Sequence, residues 1–161
     1  MTEYFLKAFG KQSTISVKTQ IEEEFTEVFF KELATACAIN MVANTIGKCE
    51  IRTFVKGKPE RGAEYYLWNY EPNPNENSSD FIQHFISNLC YDNEALIVEM
   101  GGYLYVADSF CRRAYAFYED VFSGITIGDL TLQRSYTSGE VIYMQLNNID
   151  ARRRLEGSYT S

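Results

Sequence analysis

Glu71-Pro72-Asn73-Pro74-Asn75-Glu76-Asn77-Ser78-Ser79-Asp80-Phe81 is a loop whose conformation is set almost residue by residue. Proline fixes φ and drives the preceding residue out of the α region, so Glu71 and Asn73 are extended and any helix before them must stop. The asparagines favour turns by bonding their own backbone. Asn77, Ser78 or Ser79 then caps a new helix, and Asp80 places a negative charge at its positive end.

Working outward, residues 79–90 form that second helix, with Phe81, Ile82, Phe85, Ile86 and Leu89 on its buried face and Gln83, His84 and Asn88 looking outward. Before the loop, residues 64–70 predict a short helix with Tyr66, Leu67 and Tyr70 on one side. Residues 49–55 alternate as a strand, and residues 56–62 form an exposed turn.

A longer helix is expected from Glu27 to about Ile46. Phe30, Leu33, Ala34, Cys37, Ala38 and Met41 recur at three- and four-residue steps, beside a second stripe of Ile39, Val42, Ala43 and Ile46. Its first turns are charged, whereas Ala34 to Ala43 carries no charge, so the helix is expected to run into a core or a neighbouring subunit. Leu33, Cys37 and Met41 are expected to dock this helix, and Phe81, Phe85 and Leu89 the second one. Gly47 is a natural stop.

Downstream, residues 95–100 and 103–107 flank Gly101-Gly102, a strong two-residue hairpin signal. A short strand is expected at Tyr115–Tyr118. Ile125, Ile127, Leu130 and Leu132 are expected to pair with Val141–Leu146 through Thr137-Ser138-Gly139-Glu140. The predicted class is α+β: a small-residue-rich N-terminal helix and a second amphipathic helix packed on antiparallel β-hairpins. Residues 1–26 read as an arm with an extended piece at Thr14–Val17, 27–147 as the α+β domain, and 148–161 as the start of a helical connection.

The chain has 161 residues, 45% apolar and 15% aromatic, enough for one domain with a sizeable core. Its net charge of −7 argues against nonspecific gripping of phosphate backbones over the whole surface. Cys37, Cys49, Cys90 and Cys111 show no Cys-x-x-Cys pairing, and the opening Met1-Thr2-Glu3-Tyr4 lacks the basic and apolar regions of a secretory signal. Reduced thiols, mostly buried, and a soluble intracellular protein with no membrane partner are expected.

Little in the chain points to bond chemistry. His84 is the sole histidine, which excludes multi-histidine metal sites, and its place off the apolar face reads as exposed and idle. Asp92, Glu94, Glu99, Asp108, Glu119 and Asp120 form no recognisable metal or acid–base spacing, and Asp92-Asn93 suits a left-handed turn. Neither phosphate-binding glycine motif occurs. Arg112-Arg113 and Arg152-Arg153-Arg154 read as salt-bridging surface, and Tyr65, Tyr66, Trp68 and Tyr70 as packing. No catalytic, cofactor-binding or metal residue is assigned, and no cofactor is expected.

The order of elements then becomes informative. The small-residue helix Ala36-Cys37-Ala38-Ile39-Asn40-Met41-Val42-Ala43, the strand, the short helix, the Pro72-to-Phe81 loop, the Phe/Ile helix and the hairpin at 94–107 follow one another. This arrangement resembles the N-terminal half of tailed-phage portal proteins of the HK97 type, including prophage relatives in Gram-positive bacteria. The likeness spans roughly residues 27–147, and Val141-Ile142-Tyr143-Met144-Gln145-Leu146 fits the strand after the family's wing hairpins. Where the family commonly has Gly-Asn, this chain has Asp92-Asn93, and both allow positive φ.

The resemblance implies a virion structural protein, not an enzyme: a subunit of a usually dodecameric ring at one capsid vertex, assembled in the host cytoplasm. Its implied partners are itself, the terminase large subunit, capsid and tail-connector proteins, and double-stranded DNA in transit. The stem, clip and tunnel loop would lie beyond Ser161, leaving this chain the wing-type region, and the residues that face DNA stay open. Two other classes are weighed beside it. One is a stand-alone adaptor binding a protein through its tyrosine-rich surface; the other is a metal-dependent hydrolase using Asp92, Glu94 and Asp108.

Overall fold

The computed structural model describes residues 25–146. The expected arm, the acidic run at Glu22–Glu24, the connection at 148–161 and the Arg152-Arg153-Arg154 cluster fall wholly or almost wholly outside them. Among the described residues, three helices and nine strands in antiparallel sheets give an α+β fold. In chain order they are α1 (25–46), β1 (Phe54–Val55), β2 (Lys58–Pro59), α2 (Ala63–Asn69), α3 (Ser78–Asp92) and β3 (Glu94–Met100). There follow β4 (Tyr103–Val106), β5 (Ser109–Arg113), β6 (Val121–Ile127), β7 (Leu130–Thr131), β8 (Tyr136–Thr137) and β9 (Val141–Gln145). The chain divides into two compact units between Ala38 and Ile39, inside α1.

The second unit is organised by β3, whose Ala95-Leu96-Ile97-Val98 is buried on both faces. Side chains alternate along a strand, so one such run feeds two cores. Ala95 and Ile97 join Phe81, Ile82, Phe85 and Leu89 of α3, with Leu104 and Val106 of β4. Leu96 and Val98 point the other way, onto Phe122 and Ile125 of β6 and Tyr136 of β8. The result is a helix, a three-stranded sheet ordered β4-β3-β9, and a second sheet ordered β5-β6-β7 with β8 also on β6. Each large apolar side chain so enclosed contributes about 1.5–3 kcal/mol.

Local chemistry explains the joints. Asn77 caps α3 by accepting the Asp80 N–H at 3.0 Å, while its amide donates to the Asp80 carboxylate at 2.6 Å. Asn93 ends the helix in the left-handed region with φ 65°. Gly101 and Gly102, at φ 63° and 85°, make the tight turn that opposes Met100 to Tyr103. Gly47 sits where α1 ends against α3: a β-carbon there would lie 2.9 Å from Gln83 and 3.1 Å from the Ser79 carbonyl.

The loop that opened the sequence reading is pinned by Asn73, which is 2% exposed. Its carbonyl oxygen accepts from the N–H groups of Asn75 and Glu76, both at 2.9 Å. Its amide donates to the Leu104 carbonyl and to Glu76, both at 3.0 Å, and Leu104 N–H donates to the Pro72 carbonyl at 2.8 Å. The loop thereby occupies the free edge of β4, which would otherwise offer unpaired backbone groups.

Several expectations are corrected. Leu33, Cys37 and Met41, expected as structural core, are all exposed, Met41 by 72%. Phe81, Phe85 and Leu89, by contrast, are buried at 0%, 6% and 4%. Residues 50–53 are not a strand. The Asn69 carboxamide replaces a partner strand there, accepting from Ile51 N–H and donating to its carbonyl, both at 2.8 Å.

On α2 it is Tyr65 that is buried, with Leu67 and Trp68 packed beside it on the core, while Tyr66 and Tyr70 face outward. Tyr115–Tyr118 is an exposed loop and not a strand, and β9 pairs with β3 and not with residues 125–132. Cys37, Cys49 and Cys111 are exposed and Cys90 is half-buried, so the thiols are not mostly buried. Among the described residues no helix is long and apolar enough to cross a membrane.

Replacing Asn73 by alanine removes the partner of three backbone groups, among them the buried Leu104 carbonyl, and should cost about 1–3 kcal/mol. Asn75→Ala, on the exposed side of the same loop, should stay within about 0.5 kcal/mol. Urea denaturation of both variants checks this; equal stabilities would contradict the role given to the Asn73 side chain.

Candidate functional site

Three surface features stand out in the described residues. The first is the apolar side of α1. Phe25, Phe29 and Leu33 recur at four-residue steps on one face, with Phe30 edge-on to Phe29 at 5.9 Å, and all four are between 48% and 72% exposed. In the second unit, Met41, Val42 and Ile46 of the same helix are also exposed, as are Ile142 and Met144 of β9. The last two arise because α3 covers β3 and β4 but leaves the β9 edge open. Monomeric proteins seldom leave runs of large apolar side chains in water.

The second feature surrounds α2. Tyr65 donates a hydrogen bond to the Glu50 carboxylate, which also pairs with Arg61 at 3.0 Å. The tyrosine hydroxyl holds Glu50 below the usual carboxylate range, and the same bond raises the Tyr65 phenol above its ordinary value. Arg61 lies over the Tyr65 ring at 5.1 Å, and Glu50, Arg52, Thr53, Pro59 and Arg61 border an open cavity of about 410 Å³. Tyr66 and Tyr70 lean together at 5.3 Å on the exposed side.

The third feature ties both sheets to the loop between β5 and β6. Arg112 clasps Asp120 through two nitrogens, at 2.8 and 2.7 Å, and lies over the Tyr143 ring at 4.7 Å. Arg112 also donates to the Tyr143 hydroxyl, which in turn donates to Glu94 at 2.7 Å. Asp120 accepts from Tyr115 N–H at 3.2 Å, and its backbone carbonyl accepts from Ser138 N–H at 3.0 Å. The Arg112 guanidinium, helped by that backbone bond, keeps the Asp120 carboxyl below its ordinary range. Above this clasp the loop carries Phe117 and Tyr118, 93% and 82% exposed.

His84 is not idle. Its Nδ1 lies 3.1 Å from a Glu76 carboxylate oxygen and its Nε2 3.4 Å from Asp108, whose second oxygen accepts Gly128 N–H at 2.6 Å. The ring thus links the Pro–Asn loop to the turn between β6 and β7. Nothing in the helical period marked it; both partners are remote in sequence.

The carboxylates weighed as a hydrolase site do converge, since Asp92, Glu94 and Asp108 border one cavity of about 250 Å³. Two of them are already engaged, Glu94 by Tyr143 and Asp108 by Gly128 and His84. Among the described residues no group of three or more metal-ligating side chains is placed to hold an ion. Of the six residues singled out for packing, Phe81, Phe85 and Leu89 share one buried cluster, whereas Leu33, Cys37 and Met41 are exposed. No protein-family model matches the chain, and no curated protein matches it.

Burial, together with the bond to Glu94, pushes the Tyr143 phenol up to about 12. A raised phenol stabilises the fold fully below the ordinary tyrosine range near 10 and loses that contribution as pH climbs from about 10 to about 12. Ultraviolet titration of tyrosinate should therefore show late-titrating phenol that Tyr143→Phe diminishes, the raised Tyr65 remaining. A profile unchanged by the substitution would refute the buried phenol.

Proposed function

We propose that this chain is a structural subunit of a tailed-phage portal, building with copies of itself a ring at a capsid vertex. On this reading the ring gives DNA its passage during packaging and ejection, and terminase and tail components dock on it. The protein itself makes and breaks no bonds.

The observation that carries the reading is the uncovered apolar side of α1. Phe25, Phe29, Phe30 and Leu33 are exposed as large apolar side chains on successive turns, a pattern that suits an interface with another subunit better than contact with water. The order of elements adds support through its likeness to HK97-type portals: a small-residue helix, a Pro–Asn loop, an aromatic helix and antiparallel hairpins. A charge of −7 would let DNA slide past without adhering.

One observation favours a second reading. Tyr66 and Tyr70 project from α2 beside the 410 Å³ cavity, as a tyrosine-rich surface for an unrelated protein partner would. A stand-alone adaptor of this kind would not need to associate with itself.

Light scattering and negative-stain electron microscopy separate the two. The full chain should form ring-shaped oligomers, and Phe29→Glu combined with Leu33→Glu should reduce it to monomers with an unaltered near-ultraviolet dichroism spectrum. A wild-type chain that stays monomeric at all accessible concentrations would favour the adaptor and contradict the ring.

A further inference from the structure

We infer that His84 is a proton-operated tie: its imidazolium holds the Pro–Asn loop and the second sheet together across the edge of β4, and loss of one proton releases one of the two. The inference is independent of the ring proposed above.

The geometry asks for a cation. His84 Nδ1 lies 3.1 Å from Glu76 and its Nε2 3.4 Å from Asp108, so a carboxylate faces each side of one ring. A neutral imidazole carries a hydrogen on one nitrogen only and presents a lone pair at the other. A carboxylate repels that lone pair, so the doubly protonated ring alone satisfies both contacts at once. Both carboxylates are also fixed without the histidine. The second oxygen of Glu76 accepts from the Asn73 amide at 3.0 Å. Asp108 is held on the second sheet by its own N–H, which donates to the Thr126 carbonyl at 2.8 Å, and by Gly128 N–H on its second oxygen. Neither swings away freely to relieve a neutral ring.

The surroundings supply no other cation. The half-buried ring forms part of the wall of a cavity of about 350 Å³, which Glu76, Asp108 and the Tyr105 phenol also line. Among the described residues no lysine or arginine borders it. On α3 itself Asp80 sits one turn before His84 and is bonded by Asn77, and Asp129 follows Gly128 in the β6–β7 turn. Every charged group facing or flanking the ring is thus negative, and the missing positive charge comes from a proton. Histidine is the side chain whose charge changes between about pH 5 and 8. The tie is closed toward the acid end of that range, where an imidazolium faces two carboxylates, and opens as pH rises.

Urea denaturation of the full chain at both ends of that range tests the tie. The advantage of the wild type over His84→Gln in the folding equilibrium should be about three- to tenfold larger near pH 5.5 than near pH 8. Glu76→Gln and Asp108→Asn, which remove a charge but keep an acceptor oxygen, should each shrink that pH dependence. A histidine that only fills space would give the same advantage at both pH values, and that result would overturn the inference. Should a variant fail to fold, nuclear magnetic resonance of the wild type decides. The amide signals of Glu76 and Gly128 should shift in step with the imidazole signal, which is unambiguous because His84 is the sole histidine. Amide signals that stay fixed while the ring titrates would equally overturn it.

Discussion

The described second unit is organised around β3, whose central residues Ala95 to Val98 touch water on neither face. Because Leu96 and Val98 need one cover and Ala95 and Ile97 another, β3 requires a helix on one side and a sheet on the other. That requirement fixes the rest. The chain must reach α3 before β3, turn back through β4, leave to build the second sheet, and return as β9 to close the remaining edge. Asn73 secures the opposite edge, since its carboxamide satisfies both the loop and Leu104 at once.

The same economy explains where the apolar surface is left over. Three turns of α3 suffice to cover β3 and β4, so Ile142 and Met144 on the helix side of β9 have nothing above them. Within the second unit Ala43 is buried and Gly47 lets the end of α1 approach α3 closely, while Met41, Val42 and Ile46 stay exposed. These exposed side chains are the ones on which the proposed assembly role rests.

Much of this was legible beforehand, for physical reasons. The Pro–Asn loop, the Asn77 cap, the Gly101-Gly102 turn and the face of α3 all follow from local chemistry, and local chemistry is what a sequence displays. Pairing over distance is not displayed. Val141–Gln145 alternates equally well for any partner, and only the shared need to shield Leu96 and Val98 selects β3. Asn69 imitating a strand for Ile51 could not be read from residues 49–55, because the partner is a side chain 18 residues away. The apolar stripe on α1 is legible as a stripe, but periodicity reveals a face and never what covers it, and Leu33 and Met41 are exposed. The loop at Tyr115–Tyr118 is no strand although aromatic residues favour strands, and its clasp depends on Arg112 and Asp120, eight positions apart.

The most direct trial of the assembly account is amide hydrogen exchange of α1, followed by mass spectrometry at low and high protein concentration. If the helix face bearing Phe29, Phe30 and Leu33 is a subunit contact, peptides covering residues 27–38 should exchange more slowly at high concentration, while those from β3 stay equally protected. Exchange in α1 that is independent of concentration would contradict the account.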